Sequence, residues 1–133
     1  MSEAMMLIKT WTNGWSTSYH EEIRLPCLFG CDAKDELLHY SGCVNLWSQI
    51  NHAMGILPGY SSTSAQARLC LQNPSRRSII RLCIAFKSYH AVKIDHYAEI
   101  LEAINSRSFD PLHEMSREII RLLVDEYAPS WHR

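Results

Sequence analysis

A short run of sulfur and nitrogen donors constrains this chain more than any other feature: Cys27, Cys31, His39 and Cys43. Thiolate and imidazole are the usual protein donors to Zn²⁺, which holds four ligands in a tetrahedron. Gly30, beside the second cysteine, permits the positive φ that a tight turn between the first two often requires. His39 and Cys43 are four residues apart, so a helix would project both from one face. The pattern predicts one structural zinc ion. Its four protein ligands would fill every coordination position and leave none for a catalytic water.

The predicted zinc helix opens near Lys34, with Asp32 and Asp35 as its candidate caps, because acidic side chains suit the first turn. Apolar residues at helical spacing then continue as far as Gly55. They are Val44, Leu46, Trp47, Ile50, Ala53 and Met54. We therefore expect the helix that carries the last two ligands to run on into the core.

Two other interpretations of the cysteines remain open. Disulfides would suit a secreted protein, but the total of five cysteines is odd and no apolar signal segment is expected at the amino terminus. Cysteines can also be ordinary residues of a reduced core, and this interpretation is preferred for Cys70 and Cys83, which have apolar neighbours. His20 and His52 are less suitable ligands, since neither forms a close pair as His39 does.

Length and composition favour one domain of residues 1–133, with a zinc-binding segment at 10–47 and a helical region at 48–133. The predicted fold class is mostly α: a small irregular zinc-binding segment followed by a bundle of about four helices. No apolar run approaches the roughly 20 residues that cross a bilayer. We expect the protein to be intracellular and not to associate with a membrane.

Hydrophobic periodicity predicts the remaining helices. A short helix is expected over residues 63–71, ended by Asn73 and Pro74. Ser75 is the expected cap of a long segment that is predicted to be the most buried and to bend near His90. Its apolar positions are Ile79, Leu82, Cys83, Phe86, Tyr89, Ile94, Tyr97, Leu101 and Ile104.

The last helix has the clearest boundaries. Asp110 stands at its cap, Pro111 at its first helical position, and Pro129 is expected to close it. At the amino end, the apolar residues Leu7 and Ile8 are compatible with either a strand or a short helix.

The charges are unevenly distributed although the net charge is only −1. Residues 1–36 carry six acids and three bases, and residues 95–133 carry eight acids and four bases. Residues 37–94 contain no acid and six bases: Arg68, Arg76, Arg77, Arg81, Lys87 and Lys93. Either the acidic flanks form ion pairs with this basic middle, or the bases form a phosphate-facing surface.

On the second explanation, the best candidates for phosphate contacts with RNA or DNA are Arg76, Arg77, Arg81 and Lys87. An exposed Trp11 or Trp15 could stack on bases. The alternative role of these tryptophans, which we prefer, is to anchor the loops around the metal.

The sequence does not favour an enzyme. His20, Glu21 and Glu22 lack the second histidine one turn later that a metalloprotease helix requires, since Arg24 stands there. Apolar neighbours would raise the pKa of the other cysteines rather than activate them, and there is no phosphate-cradling glycine loop.

Residues 9–47 resemble the cysteine- and histidine-rich region at the carboxyl end of reverse transcriptases from non-LTR (LINE-type) retrotransposons. In that family an acidic residue often precedes the ligand histidine, an aromatic or aliphatic residue follows it, and Leu-Trp lies beyond the last cysteine. Asp35, Glu36, Tyr40, Leu46 and Trp47 occupy those places here. The family usually leaves four residues between the histidine and the last cysteine, whereas this chain has three.

The resemblance implies a detached carboxyl-terminal piece, either a remnant reading frame or a small derived protein, without a polymerase segment. It implies zinc binding by the four ligands named above and binding of RNA or DNA. The predicted function is thus a non-catalytic, zinc-stabilised module that binds nucleic acid through a basic helical surface. The alternative is a zinc-stabilised module for protein interaction or scaffolding, or a nonfunctional remnant.

Overall fold

A computed structural model describes residues 1–56 and 64–131, and this part of the chain is mostly helical, as predicted. Between the first helix and the second lies an irregular segment that carries Cys27 and Cys31, two of the four candidate ligands, with a short 3-10 helix at Ser18–His20. In chain order the α-helices are α1 (Glu3–Trp11), α2 (Leu37–Tyr40), α3 (Val44–Ala53), α4 (Ala65–Arg68), α5 (Arg76–Asp95), α6 (Tyr97–Ser106) and α7 (Asp110–Trp131).

The amino-terminal segment is a helix rather than a strand. The Ser2 side chain caps α1 by accepting a 3.2 Å hydrogen bond from the backbone N–H of Met5. Met6 and Thr10, one turn apart, are the buried face of this helix. That face packs against α5.

Helix α5 is the centre of the fold, as its periodicity predicted. Ser75 caps it by accepting a 3.1 Å hydrogen bond from Ser78 N–H, and the helix contacts α1, α3, α4, α6 and α7. The helix continues through His90, where a bend was predicted, and ends at Asp95. The interruption lies at His96, whose φ of −125° and ψ of 32° are not helical. No glycine or proline marks this break in the sequence.

Helix α7 packs against α5, α3 and α6. It begins at Asp110, one residue before the start predicted at Pro111, and Pro129 lies inside it, so the prediction that this proline closes the helix is wrong. A proline so close to the carboxyl end removes a hydrogen bond only from the final turns, and the described helix ends soon afterwards, at Trp131.

The short helix expected over residues 63–71 is α4, with Ser64 as its cap through a 3.2 Å hydrogen bond from Ala67 N–H. Leu57, Pro58 and Gly59 predict a break in the sequence, and these three residues, like residue 63, lie outside the described residues. Every helix of the described ranges is too short or too polar to cross a membrane.

Candidate metal centre

Cys27, Cys31, His39 and Cys43 converge, and one donor atom from each lies within 4.8 Å of the others. The Cys43 Sγ atom is 3.7 Å from Cys27 Sγ and 3.6 Å from Cys31 Sγ. Two thiolates on a tetrahedral Zn²⁺ with bonds of about 2.3 Å would be about 3.8 Å apart. The four residues are therefore close enough to hold one metal ion.

The first two cysteines flank a tight turn. Gly30 has the predicted positive φ, at +85°, and its N–H donates a 3.2 Å hydrogen bond to the Cys27 carbonyl. Phe29 N–H points at Cys27 Sγ from 3.4 Å, which favours a negatively charged sulfur. A pairing of Pro26 with Lys34 closes the base of the turn.

The other two ligands do not share a helix, so that prediction is wrong. His39 lies in α2, which ends at Tyr40, whereas Cys43 is the residue that precedes α3. Gly42 N–H donates to the His39 carbonyl at 2.9 Å, and this turn separates the two helices. The turn brings the imidazole and the sulfur together as the helical spacing would have done.

The donor set fits a soft, four-coordinate metal ion such as Zn²⁺. His39 Nε2 is buried and has no hydrogen-bond partner among the described residues, which is unusual for a buried polar atom. Hydrogen bonding with Cys43 lowers the pKa of the Cys27 thiol to about 5, and the same hydrogen bond and burial raise the pKa of Cys43. Burial raises the pKa of Cys31. The Cys27 sulfur, whose lowered pKa favours the thiolate, thus lies in one cluster with an imidazole that has an unpaired nitrogen.

The chain's five cysteines are all unbridged, so the disulfide interpretation is not realised. Cys70 and Cys83 are core residues, as predicted, with 3% and 0% of their surface exposed. Burial raises the pKa of both thiols, that of Cys83 to about 12. These thiols lack the lowered pKa of a reactive cysteine.

Asp35 does not cap a helix, because α2 begins only at Leu37. The Asp35 side chain instead forms hydrogen bonds within the core. Only 1% of the surface of Asp35 is exposed, and its Oδ2 accepts a 2.7 Å hydrogen bond from Ser18 N–H. Oδ1 accepts from the hydroxyl groups of Tyr40 and Tyr89, the latter at 2.9 Å. Burial and the charge of Asp35 raise the pKa of both tyrosines, so they remain protonated donors. This network fastens the metal-binding segment to α5.

Tyr40, next to the ligand histidine, supports the site from within the core. Its hydroxyl accepts a 3.2 Å hydrogen bond from Leu28 N–H, inside the cysteine turn. Its carbonyl accepts a 2.7 Å hydrogen bond from the indole of Trp47, which is also buried. The aromatic residue singled out in the sequence and the tryptophan of the Leu-Trp pair therefore contact the metal-binding segment, and Leu46 is buried in the core.

His113, a residue of α7, contacts the cysteine turn, although no pattern in the sequence points to it. Its Nε2 donates a 2.8 Å hydrogen bond to the Phe29 carbonyl, which also accepts from Asn45 Nδ2 at 2.8 Å. A Cβ atom on Gly30 would lie 2.4 Å from His113 Nε2. No local pattern signals this contact, because 84 residues separate His113 from Phe29.

Trp15 is 4% exposed, so the proposal that it stacks on bases is wrong and its anchoring role is confirmed. Its ring packs against Tyr40 and Tyr89 at centroid distances of 5.9 and 5.2 Å, and its indole N–H donates to Thr10 Oγ1. Trp11 is 48% exposed, with its indole N–H bonded to the Leu69 carbonyl.

The four predicted phosphate contacts each have a partner within the protein. Arg76 forms an ion pair with Glu3, and Arg77 donates a 3.1 Å hydrogen bond to the Met54 carbonyl. Lys87 Nζ lies 4.9 Å from the centre of the Tyr127 ring, and the fourth residue, Arg81, is only 5% exposed.

Ion pairs between the flanks and the basic middle are present, as the first explanation of the charge pattern expects. Arg76 pairs with Glu3, and Lys93 Nζ lies 2.7 Å from Glu21 Oε1. Binding of RNA or DNA by the basic residues stays a prediction.

A groove of about 440 Å³ lies beside the metal-binding segment, between α1, α2 and the end of α4. Three exposed apolar side chains, Trp11, Tyr19 and Leu38, line it, and Leu38 is 81% exposed. These three side chains together form an exposed apolar surface around the groove.

Comparisons of the chain with protein-family models, with curated proteins and with solved structures return no significant match. The resemblance to retroelement reverse transcriptases therefore rests on the sequence pattern alone.

Proposed function

We propose that this chain is a non-catalytic binding module whose fold is stabilised by one Zn²⁺ ion on Cys27, Cys31, His39 and Cys43. The observation that carries the proposal is the convergence of one donor atom from each of the four residues, together with a buried His39 Nε2 that lacks any described partner. A bound Zn²⁺ would cross-link the cysteine turn to the start of α3. With four protein ligands the ion would have a structural role, because no coordination position stays open for a substrate.

Cobalt substitution tests this ligand set directly. Co²⁺ in a tetrahedral site with three thiolates absorbs strongly in the visible and near-ultraviolet range, and we expect that spectrum at one equivalent. Cys43→Ala should lose it, whereas Cys70→Ala, which removes a buried cysteine outside the cluster, should keep it. A weak octahedral spectrum, or equal spectra for both variants, would refute the proposed site.

For the binding role we propose a protein partner that presents an apolar side chain to the groove beside the metal-binding segment. Trp11, Tyr19 and Leu38 support this role, since exposed apolar side chains around one concave surface are typical of peptide-binding sites. Among the four predicted phosphate contacts, by comparison, Arg76 is paired with Glu3 and Arg81 is buried, so neither is freely exposed to a nucleic-acid backbone.

A random peptide library displayed on phage provides the test. Peptides selected on the zinc-loaded protein should carry apolar or aromatic anchors and should lose binding to Leu38→Glu. Leu122→Glu is the matched control, since Leu122 is 54% exposed on α7 and does not line the groove. Peptides that bind both variants equally, or no selected peptides, would contradict this role.

A second candidate function is binding of RNA or DNA, which the carboxylate-free residues 37–94 and the retroelement resemblance favour. Affinity for a single-stranded RNA should then fall steeply with salt, and Arg77→Ala should weaken it further. The exposed Arg117→Ala, outside residues 37–94, is the control. Binding that is insensitive to salt, or no binding, would exclude this function.

A further inference from the structure

Arg81 is a buried cation without a described counter-charge. Only 5% of its surface is exposed, and its Nε atom is buried with no hydrogen-bond partner. Its Nη1 donates a long hydrogen bond, 3.4 Å, to Asn51 Oδ1, and its guanidinium lies 5.5 Å from the centre of the Trp47 ring. A buried guanidinium without a carboxylate is costly, because desolvation is not repaid by an ion pair.

Two more arginines lie on the elements around Arg81: Arg77 precedes it by one turn of α5, and Arg68 ends α4, which packs against α5. Burial, then the charges of Arg68 and Arg77, lower the pKa of its guanidinium. Arg68 Nη1 donates to the Ser41 carbonyl at 3.2 Å, and Arg77 Nη2 donates to the Met54 carbonyl at 3.1 Å. These carbonyls lie just beyond the ends of α2 and α3, where the helix dipole attracts cations. Each guanidinium has five N–H donors, so one carbonyl uses only part of its capacity.

A carboxylate from the surrounding sequence cannot neutralise this arginine cluster. Residues 37–94, which contain all three arginines, include no aspartate or glutamate. In the described ranges none of the three arginines takes part in an ion pair, whereas Arg76 and Arg121 do. The cluster therefore has the charge and the free donors for an anion.

We propose that Arg68, Arg77 and Arg81 form a binding site for one small oxyanion of the phosphate or sulfate class. Planar guanidinium groups match the oxygens of such anions and bind them through paired N–H donors. Arg81, held against Trp47, forms the inner wall, and Arg68 and Arg77 form the more accessible rim. Because Arg81 is recessed, the site takes a free anion or a terminal phosphate rather than the backbone of a polymer. The site does not depend on the protein partner proposed above.

Thermal unfolding of the zinc-loaded protein in inorganic phosphate tests this site, with sodium chloride at matched ionic strength as the reference. We expect a saturable rise of the midpoint in the wild type, because a ligand that binds only the folded state stabilises it. Arg81→Met keeps much of the side-chain volume and removes the charge, and it should weaken phosphate binding at least about 10-fold. Arg121→Met, which removes an exposed arginine of α7, should bind phosphate as the wild type does.

Without phosphate, Arg81→Met should unfold at the same temperature as the wild type or higher, since it removes an uncompensated buried charge. As phosphate is added, the unfolding midpoint of the wild type should then rise more than that of the variant. If Arg81→Met does not fold, the rim variants Arg68→Gln and Arg77→Gln replace it, with weaker phosphate binding expected in both. A wild-type midpoint that responds only to ionic strength would overturn the proposal.

Two RNA oligonucleotides that differ only in a 5′-phosphate or 5′-hydroxyl group distinguish the sources of the anion. A terminal phosphate as ligand predicts tighter binding of the phosphorylated oligonucleotide in the wild type and no difference in Arg81→Met. If both oligonucleotides bind weakly while inorganic phosphate binds saturably, the site takes the free anion, which also supports the proposal. The small-anion site would be overturned if both oligonucleotides bind equally and in an Arg81-dependent way while inorganic phosphate shows no saturable binding. That result would indicate contacts with the nucleic-acid backbone instead.

Discussion

The imidazole Nε2 of His113 in α7 donates a 2.8 Å hydrogen bond to the carbonyl of Phe29, in the turn between the first two candidate ligands. A residue near the carboxyl end thus fixes the backbone that presents Cys27 and Cys31. His113→Ala should lower the free energy of unfolding by about 1–2 kcal/mol and weaken zinc binding by about 10-fold. Chemical denaturation and competition with a zinc chelator measure the two effects. His52→Ala, the removal of an exposed histidine, should change neither; equal effects of the two variants would contradict this role.

Gly30 should tolerate no side chain, because its φ is +85° and a Cβ would approach His113 Nε2 to 2.4 Å. Gly55 is a matched control, since its φ is +71° but a Cβ there would have nothing within 4 Å among the described residues. Gly55→Ala should lower the free energy of unfolding by about 1–2 kcal/mol, through backbone strain alone. Gly30→Ala should lower it by about 1–3 kcal/mol more, because the added Cβ clashes with His113. Urea unfolding of both variants measures the difference, and equal losses would show that the contact with His113 is absent.

The buried carboxylate of Asp35 should be essential to stability. Asp35→Asn keeps the shape but replaces one acceptor oxygen by a donor, which then faces Ser18 N–H or the tyrosine hydroxyls. We expect a loss of about 2–3 kcal/mol in the free energy of unfolding, because buried donors are left unpaired. Asp32→Asn, at an exposed position of the same segment, should lie within about 0.5 kcal/mol of the wild type. Similar stabilities of the two variants would count against the network.

His90 should make stability depend on pH. Burial lowers the pKa of this imidazole, whose Nε2 accepts a 3.2 Å hydrogen bond from Ser16 N–H and whose Nδ1 donates to the Phe86 carbonyl. The folded state therefore favours the neutral ring. This contribution is complete above the unfolded pKa, near 6.5, and is lost as pH falls through that value towards the folded pKa.

Urea unfolding of wild type and His90→Gln between pH 7.5 and 5.5 measures that contribution. The wild type should lose more stability than the variant over this range. Protonation of the metal ligands affects both proteins alike, so it cancels in the comparison. Parallel losses in the two proteins would show that His90 does not titrate as its surroundings imply.

Local chemistry explains which parts of the structure could be predicted from the sequence. Ser75 caps α5 and Gly30 turns the chain because these preferences depend on residues close by in the sequence. The four candidate ligands could be identified because residues so close in the sequence can be brought together by short turns. The helix expected to join His39 to Cys43 was wrong, since Gly42 allows a turn that spacing alone does not reveal.

The supports of the site could not be predicted, because they join distant segments. Asp35 meets Tyr89 across 54 residues, and His113 meets Phe29 across 84. Arg81 was expected on a phosphate-facing surface, but its place on α5 buries it against Trp47. Only the packing of α5 and α7 determines these contacts.

Elemental analysis by mass spectrometry tests the central claim most directly, on protein purified without chelators. We predict one zinc per chain in the wild type and in Cys70→Ala, and none in Cys43→Ala. In the wild type, removal of the zinc should abolish hydrogen-exchange protection of the backbone from Cys27 to Cys43. A wild-type protein that contains no zinc and still protects this segment would contradict the account.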